Sequence, residues 1–384
     1  MPMQRLFKLM QEQRASDMFF AVNSPIHLKI NGELIPINDQ KLEWTGIRAL
    51  LSEVITPADM QKLATENELN IGIPAAGVGR FRLSAFCQRG SISAVFRYIP
   101  SDIPDLDALN LPSTLTELVT LKHGLILVAG ATGSGKSTTI AAMLDRRNAT
   151  QTGHILTLED PIEYLFRSRK SIVNQREIGA DTASLNLALK NALRQAPDCI
   201  LIGEIRDKET MSSAIAYAQS GHLVLATLHA NNSYNALNRI ISFFPIETRQ
   251  SLLQDLSATI RAIICQRLIR CTSGGRVPAV EVMRNTQYVA ELIEKGEIDA
   301  IRDAIEKSLS PGSQTFELAL IKLIREGLIT REDALLYADS ATNLMWHLNN
   351  GQQQDPSKLF QKPEQQTNPQ IEQVSDFAEF TMKI

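Results

Sequence analysis

One stretch, LILVAGATGSGKSTT from Leu125 to Thr139, constrains the fold of this chain more than any other. Its apolar start predicts a buried strand, and the residues that follow fit the pattern G-x-x-x-x-G-K-[ST]. Glycines at 130, 133 and 135 permit positive φ, so consecutive backbone N–H groups can turn inward around a polyphosphate. The stretch therefore predicts a strand, a phosphate-binding loop and a helix, in that order.

The chemistry of this loop follows from its residue types. Lys136 would reach the β and γ phosphates, the hydroxyl of Ser137 would ligate Mg²⁺, and the helix that begins there would turn its positive end toward the anion. The alternative is a flexible glycine turn with an idle lysine, which requires pattern and context to coincide by chance. The predicted nucleotide-binding residues are Gly130, Ala131, Thr132, Gly133, Ser134, Gly135, Lys136, Ser137 and Thr138.

Composition limits the class of protein. A chain of 384 residues exceeds what one hydrophobic core usually serves, which predicts two domains and a tail. The net charge of -3 and the pI of about 6.1 give no electrostatic reason to bind nucleic acid, so a nucleic-acid translocase is the weaker interpretation. No apolar run approaches the roughly 18 residues of a membrane span, and the charged N-terminal segment does not resemble a signal peptide. We expect a cytoplasmic location and four cysteines that stay reduced.

The pattern before residue 113 predicts a small α+β domain and a linker. Met3, Leu6, Phe7 and Met10 predict an amphipathic helix ending near residues 16 and 17. Further predicted elements are a hairpin around residues 26–32, an interrupted helical region at 42–68, and strands at 79–86 and 91–98. The stretch rich in proline and aspartate at 99–112 reads as a linker.

Beyond the linker, strands and helices alternate, which predicts an α/β domain with a parallel sheet covered on both faces. The predicted strands are 125–129, 155–158, 199–202 and 223–228, separated by helices at 137–147, 182–195 and 208–220. A helical pattern then covers 235–269, a strand follows at 277–282, and helices continue to about 349. The predicted organisation is an N-terminal domain at 1–98, a linker at 99–112, a second domain at 113–349 and a tail at 350–384. The tail is rich in Gln, Asn and Pro and is expected to be disordered.

Two acidic groups follow predicted strands and are candidates for the hydrolytic chemistry. Glu163 closes the run Glu159-Asp160-Pro161-Ile162-Glu163, and Glu204 follows the strand at 199–202. An apolar strand that ends in a carboxylate is the Walker B arrangement, which holds Mg²⁺ directly or through water. Gly203 stands where many such ATPases have an aspartate, which leaves Glu204 as the acid. An exposed strand-end glutamate without function remains the alternative for either residue.

Histidines and arginines give weaker signals. His229 follows the strand at 223–228 on the predicted nucleotide side and could contact the γ phosphate or simply form a hydrogen bond. His222 lies at the opposite end, roughly 20 Å away in an extended chain, so the two cannot share a metal. Arg80, Arg82 and Arg97 lie on two N-terminal strands and could donate charge to a phosphate across a boundary, or be solvated strand arginines.

The boxes GATGSGKST, TLEDPIE, GEIRD and GHLVLATLH, in this order, resemble those of the type II secretion and type IV pilus ATPases. ASDMFF, RFRLSAF, AVFRYIP, VNQREIG and LRQAPD are similar to the retraction ATPases, the PilT/PilU group, and most of all to its accessory PilU branch. The segment from Gln287 to Lys295 departs from the AIREN-type motif of PilT, which is the sign of that branch.

This resemblance implies the roles of the site residues. Lys136 and Ser137 would bind phosphate and Mg²⁺, Glu163 would be the general base, and Glu204 the Walker B glutamate. Three further residues would be catalytic by the same resemblance: His229 of the histidine box, and Arg82 and Arg97, which would reach the γ phosphate when the N-terminal domain closes. Arg80 is a weaker match to the same family arginines.

The resemblance also implies a PAS-like N-terminal domain and a RecA-like ATPase domain assembled as a hexameric ring. Such a ring would use ATP to power pilus retraction, at the inner face of the cytoplasmic membrane, with a PilT-type ATPase and an inner-membrane platform protein as partners. The alternative is a regulatory partner subunit of PilT with little motor activity of its own. Asp376-Phe377-Ala378-Glu379-Phe380 in the tail could be a docking helix or an idle terminus.

Overall fold

The computed structural model describes residues 2–30, 32–99, 102–307 and 310–350, which form two β-sheets covered by helices. The strands are β1 Asp17–Phe20, β2 His27–Ile30, β3 Glu33–Pro36, β4 Glu68–Ala75, β5 Gly79–Gln88, β6 Ser91–Ile99, β7 Gly124–Ala129, β8 Gly153–Glu159, β9 Ser171–Glu177, β10 Cys199–Ile202, β11 Leu223–Leu228, β12 Ile260–Arg270 and β13 Arg276–Arg284. The helices are α1 Pro2–Glu12, α2 Trp44–Ser52, α3 Pro57–Glu66, α4 Thr114–Val119, α5 Lys136–Thr150, α6 Leu185–Ala192, α7 Lys208–Gln219, α8 Ser233–Ser242, α9 Arg249–Thr259, α10 Gln287–Lys295, α11 Ala300–Glu306, α12 Phe316–Arg325, α13 Arg331–Tyr337 and α14 Ala341–Asn350.

The N-terminal sheet is antiparallel, and within the described residues its strand order is β3-β2-β1-β6-β5-β4. Helix α1 packs on it through the predicted apolar positions; Phe7 stacks on Phe81 with 4.0 Å between ring centroids. The prediction that this helix reaches residues 16 and 17 is wrong. Arg14 has a left-handed backbone with φ of 51°, and Asp17 already pairs with Arg97 as the first residue of β1.

The second sheet is mixed, with the order β13-β12-β7-β11-β10-β8-β9 among the described strands. All its pairings are parallel except β12 with β13, so the prediction of a parallel sheet is corrected by one antiparallel edge strand. Strand β7 lies in its interior and is buried along its whole length, as expected of an apolar run flanked by strands on both sides.

The prediction of continuous helix over 235–269 is also wrong. Helices α8 and α9 occupy its first part, but Ile260–Arg270 forms β12, paired in parallel with β7 and antiparallel with β13. This strand is buried on both faces and therefore lacks the alternation that marks a half-exposed strand. Its β-branched isoleucines favour the extended form.

Strands β4 and β9 were also not predicted, and both lie at an edge of their sheet. Strand β4 contains Gly72 and Pro74, which weaken a strand signal but are tolerated at an edge. Strand β9, with the sequence SIVNQRE, has few apolar residues because only one neighbour covers it.

Part of the predicted linker is packed against the second sheet and its helices. Leu106 is buried in the cluster that contains β7 residues, and Arg146 on α5 contacts Asp105 at 2.8 Å and Asp107 at 2.5 Å. Burial and these ion pairs hold residues 105–109 against the second sheet and its helices. No helix in the described ranges is long and apolar enough to cross a bilayer. The predicted disordered tail at 350–384 begins with Asn350, which ends α14. The rest of that tail, with the predicted docking helix, lies outside the described residues.

Candidate nucleotide site

A cleft of about 420 Å³ opens at the carboxyl ends of β7, β8, β10 and β11. Parallel strands end at the same edge of a sheet, so the loops that follow them meet there. Lys136, Ser137, Glu163, Glu204 and His229 all line this cleft. The fold thus brings together the predicted phosphate loop, both predicted carboxylates and the predicted histidine.

The loop after β7 has the backbone that its glycines predict. Gly130, Gly133 and Gly135 have φ of 153°, 78° and 89°, and α5 begins directly after Gly135. A Cβ atom at Gly130 would lie 2.6 Å from the carbonyl oxygen of Gln266, and one at Gly135 would lie 2.7 Å from the side-chain nitrogen of Gln266. Two of the glycines are therefore needed for close approach to β12 as well as for backbone conformation.

The ammonium of Lys136 is held inside this loop. The residue is 8% exposed, and its Nζ donates to the carbonyl oxygens of Gly130 and Ala131 at 2.8 and 2.9 Å. Burial lowers the pKa of Lys136, while the carboxylates of Glu204 and Glu163 act in the opposite direction. The amine is thus placed between loop carbonyls and the two acidic groups of the cleft.

Gln266 on β12 braces the start of α5 and was missed by the sequence analysis. Its Oε1 accepts a hydrogen bond from Oγ1 of Thr139 at 2.7 Å, and both side chains are buried. The residue escaped notice because it fell within the wrongly predicted helix over 235–269. The signal that could have found it is a single amide in an apolar strand, since a buried amide requires a partner.

The acidic loop after β8, which carries Glu163, is held in place by the buried carboxyl group of Glu159. Glu159 accepts from Thr157 at 2.6 Å and from Gln175 at 3.2 Å, and burial raises its pKa. The backbone N–H of Glu163 also donates to Glu159. Glu163 itself is exposed to the cleft, so Glu159 fixes the backbone from which the predicted general base projects.

The loop after β10 places Glu204 between an arginine and a histidine. Arg206 donates to Oε2 of Glu204 from Nε at 2.7 Å and from Nη2 at 2.6 Å, while Nε2 of His229 lies 3.1 Å from Oε1. The hydrogen bond of Glu204 raises the pKa of Arg206. Both carboxylate oxygens of the predicted Walker B acid are therefore engaged.

Gly203 has a steric reason to replace an aspartate. A Cβ atom there would lie 3.0 Å from the carbonyl oxygen of Leu158, at the end of the neighbouring strand β8. The backbone is held from the other side as well, because Oγ1 of Thr227 donates to the carbonyl of Gly203. His222, at the opposite end of β11 from the cleft, contacts the carbonyl of Tyr217 at 3.1 Å.

The N-terminal arginines do not line the cleft of this chain. Arg97 pairs with Asp17 at 2.8 Å, and Arg82 lies directly opposite Arg97 across β5 and β6.

Arg80 instead reaches the second sheet: its Nη2 donates to Oε2 of Glu177 at 3.1 Å. Glu177 also accepts from the backbone N–H of Ile162, at 3.3 Å, in the acidic loop.

We call this ion pair of Arg80 and Glu177 the domain bridge. The Glu177 side chain is only 6% exposed, so the pair is largely withdrawn from water. Through the second contact of Glu177, the bridge links the N-terminal sheet to the loop that carries Glu163.

Comparison with known proteins shows which family this chain belongs to. Residues 3–332 match the family model described as type II/IV secretion system protein. The chain belongs to the type II/IV secretion system protein family. It is 44% identical over 360 residues to the type IV pilus ATPase PilU of Pseudomonas aeruginosa, a match that covers 94% of both chains.

Two further members of the family extend the likeness. The type IV pilus retraction ATPase PilT of Pseudomonas aeruginosa is 38% identical over 334 residues, covering 87% of this chain and 97% of PilT. A crystal structure of the pilus retraction motor PilT with bound ADP matches with a TM-score of 0.85 and 39% identity, over 89% of this chain and 98% of that one. The predicted relation to the PilT/PilU group is therefore confirmed.

Proposed function

We propose that this chain is an ATPase motor that powers type IV pilus retraction, with ATP cleaved in the cleft at the ends of β7, β8, β10 and β11. The observation that carries the proposal is the convergence of Lys136, Glu163 and Glu204 on one cleft. The relatives named above are a pilus ATPase and a pilus retraction ATPase, which supports the link to pili.

The cleft fits a nucleoside triphosphate. The loop from Gly130 to Thr138 supplies backbone donors, and the space around the Cβ position of Gly133 holds no other described heavy atom within 4 Å. Lys136 would exchange the carbonyls of Gly130 and Ala131 for phosphate oxygens, which are stronger partners for an ammonium group.

The donor set also fits Mg²⁺, which binds oxygen ligands and keeps several waters. Within the described residues no three His, Cys, Asp or Glu side chains gather into a metal-binding group. By the family resemblance, Ser137 and Glu204 would hold the ion together with phosphate oxygens and water. Mg²⁺ bound there would neutralise charge on the phosphates during transfer.

The chain's own residues would position and activate the attacking water. Glu163 projects into the cleft from a backbone held by Glu159, and would orient the water and accept its proton as general base. His229, at hydrogen-bond distance from Glu204, would keep that carboxylate directed at the phosphate side. These roles apply the chemistry of the family to the geometry of the cleft.

We further propose a hexameric ring of subunits, each with a PAS-like N-terminal domain and a RecA-like ATPase domain. Arg82 and Arg97 lie opposite each other across β5 and β6, where two like charges oppose each other. Asp17 compensates Arg97 in this chain, and a phosphate would supply a further anion for the pair. Domain movement, within the chain or from a neighbour, would bring them to the γ phosphate, and the domain bridge would transmit that movement to the acidic loop.

The similarity to PilU supports an accessory role, in which the ring works with a PilT-type ATPase on an inner-membrane platform protein, from the cytoplasmic side. In the second candidate function, the chain is a regulatory partner of PilT with little turnover of its own. The departure of Gln287–Lys295 from the PilT motif favours dependence on PilT in either case.

ATP hydrolysis by the purified full chain tests the proposal. Lys136→Ala should abolish phosphate release, whereas Lys190→Ala, at an exposed lysine on α6, should leave it unchanged. Equal release by wild type and Lys136→Ala would reject the motor in favour of the regulatory partner. In cells that contain a PilT-type ATPase, the Lys136→Ala variant should impair twitching; unchanged twitching would reject the link to retraction.

A further inference from the structure

We propose that Arg206 senses the terminal phosphate: it holds the Glu204 carboxylate until a triphosphate binds, then transfers to the γ-phosphate oxygens and releases Glu204. This inference rests on the proposed function. In this role, Arg206 makes the availability of the Glu204 carboxylate depend on whether the bound nucleotide is a triphosphate or a diphosphate.

The starting state is visible in the hydrogen bonds. Nε and Nη2 of Arg206 both contact Oε2 of Glu204, and Nε2 of His229 contacts Oε1. A carboxylate engaged at both oxygens has a reduced capacity to ligate a cation or orient a water. Glu204 therefore becomes fully available only when one of these partners leaves.

Arg206 is the partner that is free to leave. Its side chain is 66% exposed, so a change of rotamer loses little packing, and exposed ion pairs of this kind contribute little net stability. The backbone on both sides is fixed. Ile205 is buried and donates its N–H to Thr227, and the side chain of Asp207 caps α7 by accepting from Thr210. Movement is thus confined to the arginine side chain.

The phosphate is the stronger competitor for the guanidinium. Arg206 lines the same cleft as Lys136, and besides Glu204 it also lies in the field of Asp160. A γ phosphate carries more negative charge than one carboxylate and matches the planar fork of arginine with two oxygens. A diphosphate lacks that group, so ADP would leave Arg206 on Glu204.

Equilibrium binding to the full chain tests this without turnover. We would measure Kd for ADP and for a β,γ-imido ATP analogue, each with Mg²⁺ and with EDTA. Arg206→Ala should weaken the triphosphate analogue about tenfold to hundredfold, the effect of losing charge-assisted hydrogen bonds, and should change ADP binding less than about twofold. Arg206→Lys, which keeps the charge, should recover part of the loss.

Coupling to Glu204 is tested by a double-mutant cycle. Glu204→Gln should tighten binding of the analogue in EDTA about threefold or more beyond its effect in the Arg206→Ala background. The effect that remains without Arg206 is the direct repulsion between the carboxylate and the phosphates, and the difference between the two backgrounds measures the competition for Arg206. The matched control is Arg169→Ala, which breaks an ion pair with Asp145 of similar exposure outside the cleft. That control should change neither Kd.

Each outcome decides between the two proposals. The sensor would be overturned, and the ATPase left intact, if Arg206→Ala weakened the binding of ADP and of the analogue equally, or if Glu204→Gln had the same effect with and without Arg206. If the wild-type chain binds neither nucleotide, the proposed ATPase function is rejected, and the sensor with it. Circular dichroism of each variant confirms that the comparison is made between folded proteins.

Discussion

The buried carboxyl group of Glu281 should make the chain lose stability as the pH rises from about 4.5 to about 7. Glu281 lies on β13, is 6% exposed, and accepts a hydrogen bond from the backbone N–H of Ser233 at 2.7 Å. Burial raises its pKa from 4.5 to about 7, with the nearby charge of Asp339 adding to the rise. In this interval the folded chain retains a proton that the unfolded chain releases.

The sign and size follow from proton linkage. Because the pKa is higher in the folded state, the stabilising contribution is complete below pH 4.5 and is lost as the pH rises through 7. At about 1.4 kcal/mol per pH unit, the interval corresponds to a loss of roughly 3 kcal/mol in the free energy of unfolding. This is a large part of the ~5–15 kcal/mol that stabilises a typical domain.

The assay is urea unfolding of the full chain at a series of pH values, followed by circular dichroism. Glu281→Gln keeps an oxygen acceptor for Ser233 but cannot ionise, so the difference in unfolding free energy between wild type and variant isolates this one carboxyl. Wild type should lose about 3 kcal/mol relative to Glu281→Gln between pH 4.5 and 8. Glu332→Gln, at an exposed position on α13, should show a constant difference. A wild-type minus Glu281→Gln difference that is independent of pH, or that grows with pH, would refute the reasoning.

Three further predictions concern other parts of the structure. Gln266→Leu leaves the buried hydroxyl of Thr139 without its acceptor, so urea unfolding should show a loss of about 1–3 kcal/mol, and nucleotide Kd should rise; an unchanged Kd would contradict the bracing role. Glu177→Gln breaks the charged domain bridge, so protease should cleave the segment 99–112 faster than in wild type, and equal cleavage rates would show that the bridge does not hold the two sheets together. Burial raises the pKa of Cys199 to about 12, so at neutral pH a thiol reagent should label the exposed Cys87 within minutes and Cys199 only after unfolding; rapid labelling of both would contradict the buried placement.

The sequence predicts those parts of the fold in which local pattern and tertiary environment agree. Strand β7 and helix α5 follow from one apolar run and one glycine pattern, and Glu163 and Glu204 follow from carboxylates after apolar strands. Parallel strands then bring these residues to one edge without further information.

Other features depend on contacts that no local pattern encodes. Strand β12 appears helical because burial on both faces removes its alternation, and β4 and β9 escape detection because edge strands need few apolar residues. The pairing of Arg206 with Glu204 and the bracing of Thr139 by Gln266 arise between loops and strands that meet only in the folded chain. The family resemblance assigns Arg97 to a phosphate reached when the N-terminal domain closes; in this chain Arg97 contacts Asp17, and the assignment stays a prediction.

The central claim is that ATP is cleaved in this cleft with Glu163 as general base. The most direct measurement is ATP binding and phosphate release by purified Glu163→Gln beside wild type. We predict that the variant binds ATP with a Kd close to that of wild type while phosphate release falls by about a hundredfold or more, as expected for loss of a general base. Phosphate release by Glu163→Gln at the wild-type rate would contradict the account.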